Sequence, residues 1–151
     1  LPTMMKNDVV VRHIGRRDGL PDFLLRQIDE SVSRTQGNKG MVLSLALNYG
    51  GRAELVDAFR LLMKRVAAGE LDIDSVDEKL IGDALYTRGL PEPDLMIRTG
   101  GEMRISNFMP WQIAYAELWV TPVLWPDFTP AELRRAIGDF ALRERRFGGI
   151  S

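Results

Sequence analysis

Between Asp94 and Leu118 the chain reads DLMIRTGGEMRISNFMPWQIAYAEL, and most of its residues suited to chemistry are gathered there. Arg98 and Arg104 bracket Gly100-Gly101 directly after an apolar run, and Ser106 follows two residues later. Two planar guanidinium forks and a hydroxyl suit an anion with several acceptor oxygens and more than one charge, as in a diphosphate. Gly100 and Gly101 permit a tight turn and are expected to present their backbone N–H groups to the same anion. Each charge-assisted hydrogen bond is worth about 1.5–3 kcal/mol, so losing either arginine should weaken binding by roughly one to two orders of magnitude. The residues alone leave a competing arrangement open, in which both arginines form ordinary loop ion pairs with Glu102 and nearby acids.

Glu117 stands among Trp111, Ile113, Tyr115 and Leu118. A partly desolvated acid needs a partner. A magnesium ion bridging to diphosphate oxygens would serve, since magnesium takes one or two carboxylates with phosphate and water. A salt bridge to Arg98 or Arg104 would serve equally. Asn48 to Glu54 (NYGGRAE) is a second Gly-Gly turn opening a helix. Helix N-termini favour anions, yet plain turn geometry is the commoner reason for such a pair. His13, the single histidine, lies in a strand and reads as a packed or edge residue rather than a base. Trp111, Trp119 and Trp125 read as core or interface aromatics, and Arg143-Glu144-Arg145-Arg146 reads by itself as a solvated helix end.

The elements that must position these groups follow from periodicity. Asp8–Ile14 is β-branched and apolar, a buried strand, and Gly15–Gly19 is a basic turn. Pro21–Thr35 reads as a helix with Phe23, Leu24, Ile28 and Val32 on one side. Met41–Leu47 is a second buried strand. The helix after it runs to about Ala68 with Leu55, Phe59, Leu62 and Val66 inward. Asp74 is placed to cap a further helix carrying Val76, Leu80, Ile81 and Ala84 inward. Asp94–Arg98 is a third strand, in which Leu95 and Ile97 face opposite to Met96 and Arg98, and Ala116–Thr121 holds a fourth. The last helix has Thr129 at its N-cap, Pro130 at its first position and Glu132 at its third, with Leu133, Ile137, Phe140 and Ala141 as its apolar stripe. Arg143, Arg145 and Arg146 load its C-terminal end, and Gly148-Gly149 stops it. Strands apolar on both faces, alternating with amphipathic helices, predict an α/β fold with a mostly parallel sheet flanked by helices. Ligands in such sheets collect beyond the carboxyl ends of the strands, where Arg98 falls.

With 151 residues and 45% hydrophobic content, the chain is sized for one domain, residues 1–151. A net charge of −1 does not suggest nucleic-acid binding. The lack of cysteine excludes disulfides, zinc-thiolate sites and a cysteine nucleophile. No apolar run approaches the roughly 20 residues of a membrane span. A cytoplasmic location fits, and peripheral membrane contact is compatible with it. The chain opens at Leu1 and is expected to enter a strand almost at once, as a sequence lacking its beginning would.

Several blocks together resemble the C-terminal part of the cis-prenyltransferases, the family of undecaprenyl diphosphate synthase. They are SLALNYGGRAEL, DLMIRTGGEMRISNFMPWQIAYAEL, the WPDF run at Trp125–Phe128 and RERRFGG at Arg143–Gly149. The resemblance implies an α/β fold, a homodimer, and magnesium-dependent addition of isopentenyl diphosphate to an allylic diphosphate such as farnesyl diphosphate. By position, Arg98, Arg104, Ile105 and Ser106 correspond to the residues holding isopentenyl diphosphate, and Glu117 to the metal-associated carboxylate. Arg146 and Gly148 correspond to the Arg-x-Gly motif that reaches the partner subunit's active site. Met103 departs from a histidine that some members carry. A tunnel for the growing chain is implied, with Met41 and Leu43 as candidate lining. The family's catalytic aspartate loop and its asparagine- and aromatic-rich region have no match here, so the chain is expected to hold the isopentenyl diphosphate half-site and to be inactive alone. The alternative reading is a non-catalytic partner subunit of a prenyltransferase complex.

Overall fold

The computed structural model of the chain describes residues 1–143. Two compact units divide it, Leu1–Gly89 and Leu90–Ser151, and each is taken by itself.

The first unit begins with a short helix α1 (Pro2–Lys6), where a strand-like entry was expected. Pro2 suits the first helical position, whose N–H has no intrahelical partner. Strand β1 (Val10–Ile14) then pairs in parallel with β2 (Val42–Ala46), Val10 opposite Val42 and Ile14 opposite Ala46. Between them runs α2 (Asp22–Thr35), and after β2 comes α3 (Gly51–Ala67). Thr35, the last residue of α2, is fully buried; its hydroxyl accepts from Val11 N–H at 2.9 Å and donates to Ser31 C=O at 2.8 Å. Because Val10 N–H bonds toward β2, this hydroxyl satisfies the opposite edge of β1.

The core of this unit comprises Val9, Val11, Ile14, Ile28, Ala58, Leu62 and Leu85. Several predicted stripes are rotated. Phe23 and Phe59 are exposed, and on α3 it is Ala58 with Leu62 that turns inward, Leu55 and Val66 being half-buried. Strand β2 is not a buried strand: Val42 and Leu45 are exposed, as is Met41 before it. Its only strand partner among the described residues is β1. Asp74 caps nothing. Asp72 caps a 3-10 turn (Ile73–Ser75), and Asp77 caps α4 (Glu78–Ala84) by accepting from Leu80 N–H at 2.8 Å. Leu85, just past α4 and absent from the predicted stripe, is the residue that is buried, while Val76, Leu80, Ile81 and Ala84 remain half-buried.

The second unit holds β3 (Leu95–Arg98) and β4 (Glu117–Val120), also parallel, with Leu95 opposite Glu117 and Arg98 opposite Val120. A 3-10 turn (Trp125–Asp127) leads to α5 (Pro130–Ala141). Thr129 caps α5 as predicted, accepting from Glu132 N–H at 3.4 Å. The apolar stripe differs: Leu133 and Ile137 are exposed, and Ala136 is the fully buried contact residue. A residue without a long side chain lets the helix backbone approach its neighbours closely. Trp119 is buried and donates its indole N–H to Asp139 at 2.8 Å, whereas Trp125 is exposed and stacks on Phe128. Parallel strands flanked by helices agree with the predicted α/β class, as two separate two-stranded pairs among the described residues. No described helix is long and apolar enough to cross a membrane.

Candidate functional site

Arg98 ends β3, and the chain turns at once through Gly100 and Gly101, both left-handed at φ +84° and +75°. Glycine adopts this region without the Cβ clash that other residues meet. The glycine N–H groups do not present themselves to an anion, contrary to expectation. Gly100 N–H donates to Val123 C=O at 2.9 Å and Gly101 N–H to Thr121 C=O at 2.8 Å. Both donors extend the hydrogen bonding of the strand pair past its end, since a backbone donor beside a sheet must find an acceptor. The turn is thereby tied to the segment following β4.

Three further left-handed residues, Ser106, Asn107 and Met109, lie within the next turn of chain at φ +46°, +65° and +50°. Non-glycine residues held there cost on the order of 1–3 kcal/mol each, a strain that collects at ligand sites. The loop folds back so that Arg98 Nη1 donates to Arg104 C=O at 2.5 Å and to Ser106 Oγ at 3.2 Å. Arg98 is mostly buried, at 20% side-chain exposure. Its Nε is fully shielded and has no hydrogen-bond partner.

A cavity of about 520 Å³ opens beside it, lined among others by Leu95, Ile97, Arg98, Ile105, Ser106 and Phe108. Met96 lines it as well, so the predicted alternation of faces does not separate the β3 residues. A cavity along the unpaired flank of a strand touches both of its faces. Arg98, Ile105 and Ser106 are thus brought together. Arg104 contributes its carbonyl to Arg98, while its exposed guanidinium stands outside the cavity lining. Glu102 joins the two arginines: Arg98 Nη2 donates to Oε2 at 2.5 Å, and Arg104 Nη2 pairs with Oε1. The hydrogen bond from Arg98 leads in holding the Glu102 carboxyl below its usual pKa, and the charge of Arg104 adds to it. The loop ion pairs left open by the sequence are therefore present.

Glu117 is placed elsewhere. It begins β4 opposite Leu95, three residues or about 10 Å along the strands from the Arg98 level. Its partner is neither Arg98 nor Arg104 but Arg143, whose Nη1 donates to Glu117 Oε2 at 2.6 Å and to Leu118 C=O at 3.2 Å. No group of three or more potential metal-ligating side chains occurs among the described residues. One partly exposed carboxylate still matches what magnesium takes from a protein when diphosphate oxygens and water complete its shell. The Glu117 donor fits that ion on condition that the Arg143 pair opens. Arg146 and Gly148 lie outside the described residues.

The first unit carries a second polar cluster, which the sequence reading passed over. Gly15, at φ +126°, lies so close to β2's exit that an added Cβ would sit 2.2 Å from Leu47 C=O. That crossing delivers Arg16 to α3, where its Nε and Nη2 each bond Asp57 at 2.8 Å and Tyr86 donates to the same carboxylate. The hydrogen bonds from Arg16 and then Tyr86 lower the Asp57 pKa to about 2. Burial, then the hydrogen bond to Asp57, raise Tyr86 to about 12. Glu54 is 1% exposed, accepting from Tyr49 OH at 2.5 Å and Tyr86 N–H at 2.8 Å. Its position four residues before Ala58 and eight before Leu62 was the available signal. His13 behaves as a packed residue, its Nε2 3.0 Å from Leu47 C=O.

Comparison with known proteins shows the family of the chain. Residues 1–148 match the prenyltransferase family model described as undecaprenyl diphosphate synthase. The isoprenyl transferase of Geobacillus kaustophilus is 49% identical over 151 residues, all of this chain and 59% of that protein. That of Bacillus subtilis (strain 168) is 49% identical over 150 residues, 99% of this chain and 58% of its own length. Among solved structures, lavandulyl diphosphate synthase from Lavandula x intermedia, in complex with dimethylallyl diphosphate, aligns with TM-score 0.92 at 39% identity, over 95% of this chain and 61% of that one. A probable undecaprenyl diphosphate synthase from Campylobacter jejuni gives 0.81 at 34%, over 97% and 66%. The chain therefore spans about three fifths of the curated relatives it matches.

Proposed function

This chain belongs to the undecaprenyl diphosphate synthase family of prenyltransferases, and from that premise we propose that it carries the isopentenyl diphosphate site of a cis-prenyltransferase. The observation that carries the reading is Arg98: a mostly buried guanidinium at a strand end, lining a cavity that is apolar along Leu95, Ile97 and Phe108. A cavity joining such a cation to aliphatic walls matches a ligand that is diphosphate at one end and a five-carbon alkene at the other.

In this reading Arg98 and Arg104 take diphosphate oxygens and Ser106 adds a hydroxyl. Ile105 supplies apolar contact. Holding the diphosphate fixes the alkene in place for reaction, a contribution of orientation and charge neutralisation rather than of a nucleophile. The alkene carbons then attack C1 of the allylic partner, whose diphosphate leaves, and a proton is lost from the former isopentenyl unit. Glu117 would hold magnesium, which when bound neutralises diphosphate charge. The exposed apolar residues Val42 and Leu45 of β2, with Met41 just before it, suit contact with a hydrocarbon product chain. A homodimer belongs to the same proposal; a single species of monomer mass in sedimentation at micromolar concentration would remove it.

The test is incorporation of labelled isopentenyl diphosphate onto farnesyl diphosphate by the full-length protein, with and without magnesium. Magnesium-dependent polyprenyl product is expected. Folded protein that yields none would move the reading to a non-catalytic partner subunit.

A further inference from the structure

The Glu102 carboxylate spans two guanidiniums with one oxygen on each, Oε2 to Arg98 Nη2 and Oε1 to Arg104 Nη2. Two oxygens on one centre, each facing a different arginine, form the contact that a terminal phosphate group would make with the same pair. A phosphate placed between the arginines would compete with Glu102 for the N–H groups that Arg98 Nη2 and Arg104 Nη2 now give it. We propose that Glu102 is an internal counter-anion, occupying the phosphate position between Arg98 and Arg104, so that a diphosphate binds by exchange against it. This rests on the reading of the two arginines as diphosphate ligands and adds a competing group to that site.

Three observations favour exchange over a fixed scaffold. Glu102 is 45% exposed, and among the described residues its polar contacts are the two arginines alone. It follows directly on Gly100-Gly101, so its side chain leaves a turn at the surface rather than a packed helix face. The bonds that hold the loop in shape do not involve it: Arg98 Nη1 to Arg104 C=O and Ser106 Oγ, and the glycine N–H groups to Val123 and Thr121. Removing the carboxylate leaves this frame standing.

Exposed ion pairs are weak, so a phosphate displaces the carboxylate. Because the same pairs must open for every anion that takes this position, Glu102 would lower the affinity for each by the same factor.

Titration calorimetry on the full-length protein tests this, with inorganic pyrophosphate and inorganic phosphate as probes, without magnesium, for the wild type, Glu102→Gln, Glu102→Ala and Arg98→Ala. Both Glu102 variants should bind pyrophosphate about three- to tenfold more tightly, the size expected for losing one or two exposed competing pairs. Inorganic phosphate should gain by the same factor. Weaker or unchanged pyrophosphate binding by folded Glu102 variants, with Arg98→Ala weakened, would overturn the exchange and leave the arginine site intact. Arg98→Ala binding pyrophosphate as the wild type does would overturn the site itself, and the exchange with it.

Discussion

Two Gly-Gly turns leave the carboxyl ends of parallel strands in this protein, and each is followed by a glutamate. Their fates are opposite. After β2, helix α3 begins at Gly51, so Glu54 lies one helical turn on, aligned with Ala58 and Leu62 on the inward face. Its carboxylate is buried and committed to Tyr49 and Tyr86. After β3 no helix follows, and Glu102 stays on the loop, half exposed between two arginines beside a cavity. The glycines differ too: Gly50 is the extended N-cap of α3 and Gly51 its first residue, whereas Gly100 and Gly101 are both left-handed. The rotation of a following helix, or its absence, decides whether the acid becomes part of the interior or part of a site.

If that contrast holds, changes around the first turn should act on stability and changes around the second on ligand binding. The largest effect is expected for Gly15→Ala, which would drive a Cβ to 2.2 Å from the Leu47 carbonyl in a left-handed conformation. A loss on the order of 4 kcal/mol or outright misfolding is expected, read by denaturant melts. A variant of wild-type stability would show that the β1–β2 exit tolerates displacement. Glu54→Ala removes the acceptor from Tyr86 N–H and Tyr49 OH and should cost about 3 kcal/mol. An exposed-type loss of a few tenths would break the comparison from the other side.

Arg98→Ala should leave the melting temperature close to wild type and raise the Michaelis constant for isopentenyl diphosphate ten- to a hundredfold, as expected for about 1.5–3 kcal/mol of charge-assisted bonding. Unchanged kinetics in the full-length enzyme would remove Arg98 from the site.

Asp57 should give the smallest effect and one that depends on pH. Its folded pKa of about 2 lies below its ordinary 3.8, so its contribution is present above about pH 4 and is lost as the pH falls toward 2. Tyr86, raised from 10.0 to about 12, contributes below about pH 10 and loses that contribution as the pH rises through 12. The Arg16–Asp57–Tyr86 cluster is therefore complete between roughly pH 4 and pH 10. Asp57→Asn should cost about 1 kcal/mol at pH 7, given its partly exposed partners, and the gap to wild type should shrink at pH 2. A constant gap across that range would mean the loss is one of packing rather than charge.

Much of the site was legible in order along the chain. Arg98 and Ser106 were identified from residue type and proximity to a strand end and Ile105 from the family resemblance, and the structure brings them to one cavity. The roles of the glycine N–H groups were not legible, because their acceptors, Thr121 and Val123, lie far along the chain, beyond the reach of a local turn. Glu117 was read as an acid in an apolar segment needing a partner, with magnesium or a salt bridge to Arg98 or Arg104 left open. Parallel pairing sets it at the other end of the strands, with Arg143 as its partner.

The sequence by itself determined the parallel α/β class, the α5 cap at Thr129 and the family, because these depend on local periodicity, short-range capping and motif order. Tertiary structure alone decided which face of α3 and α5 is inward, that β2 is exposed, and that Glu54 is buried while Glu102 bridges two cations. Periodicity specifies that a helix has an apolar side, but several rotations of one amphipathic helix satisfy it nearly as well. Small residues such as Ala58 and Ala136 settle the choice by close approach, and that can be read only once the neighbouring element is in place.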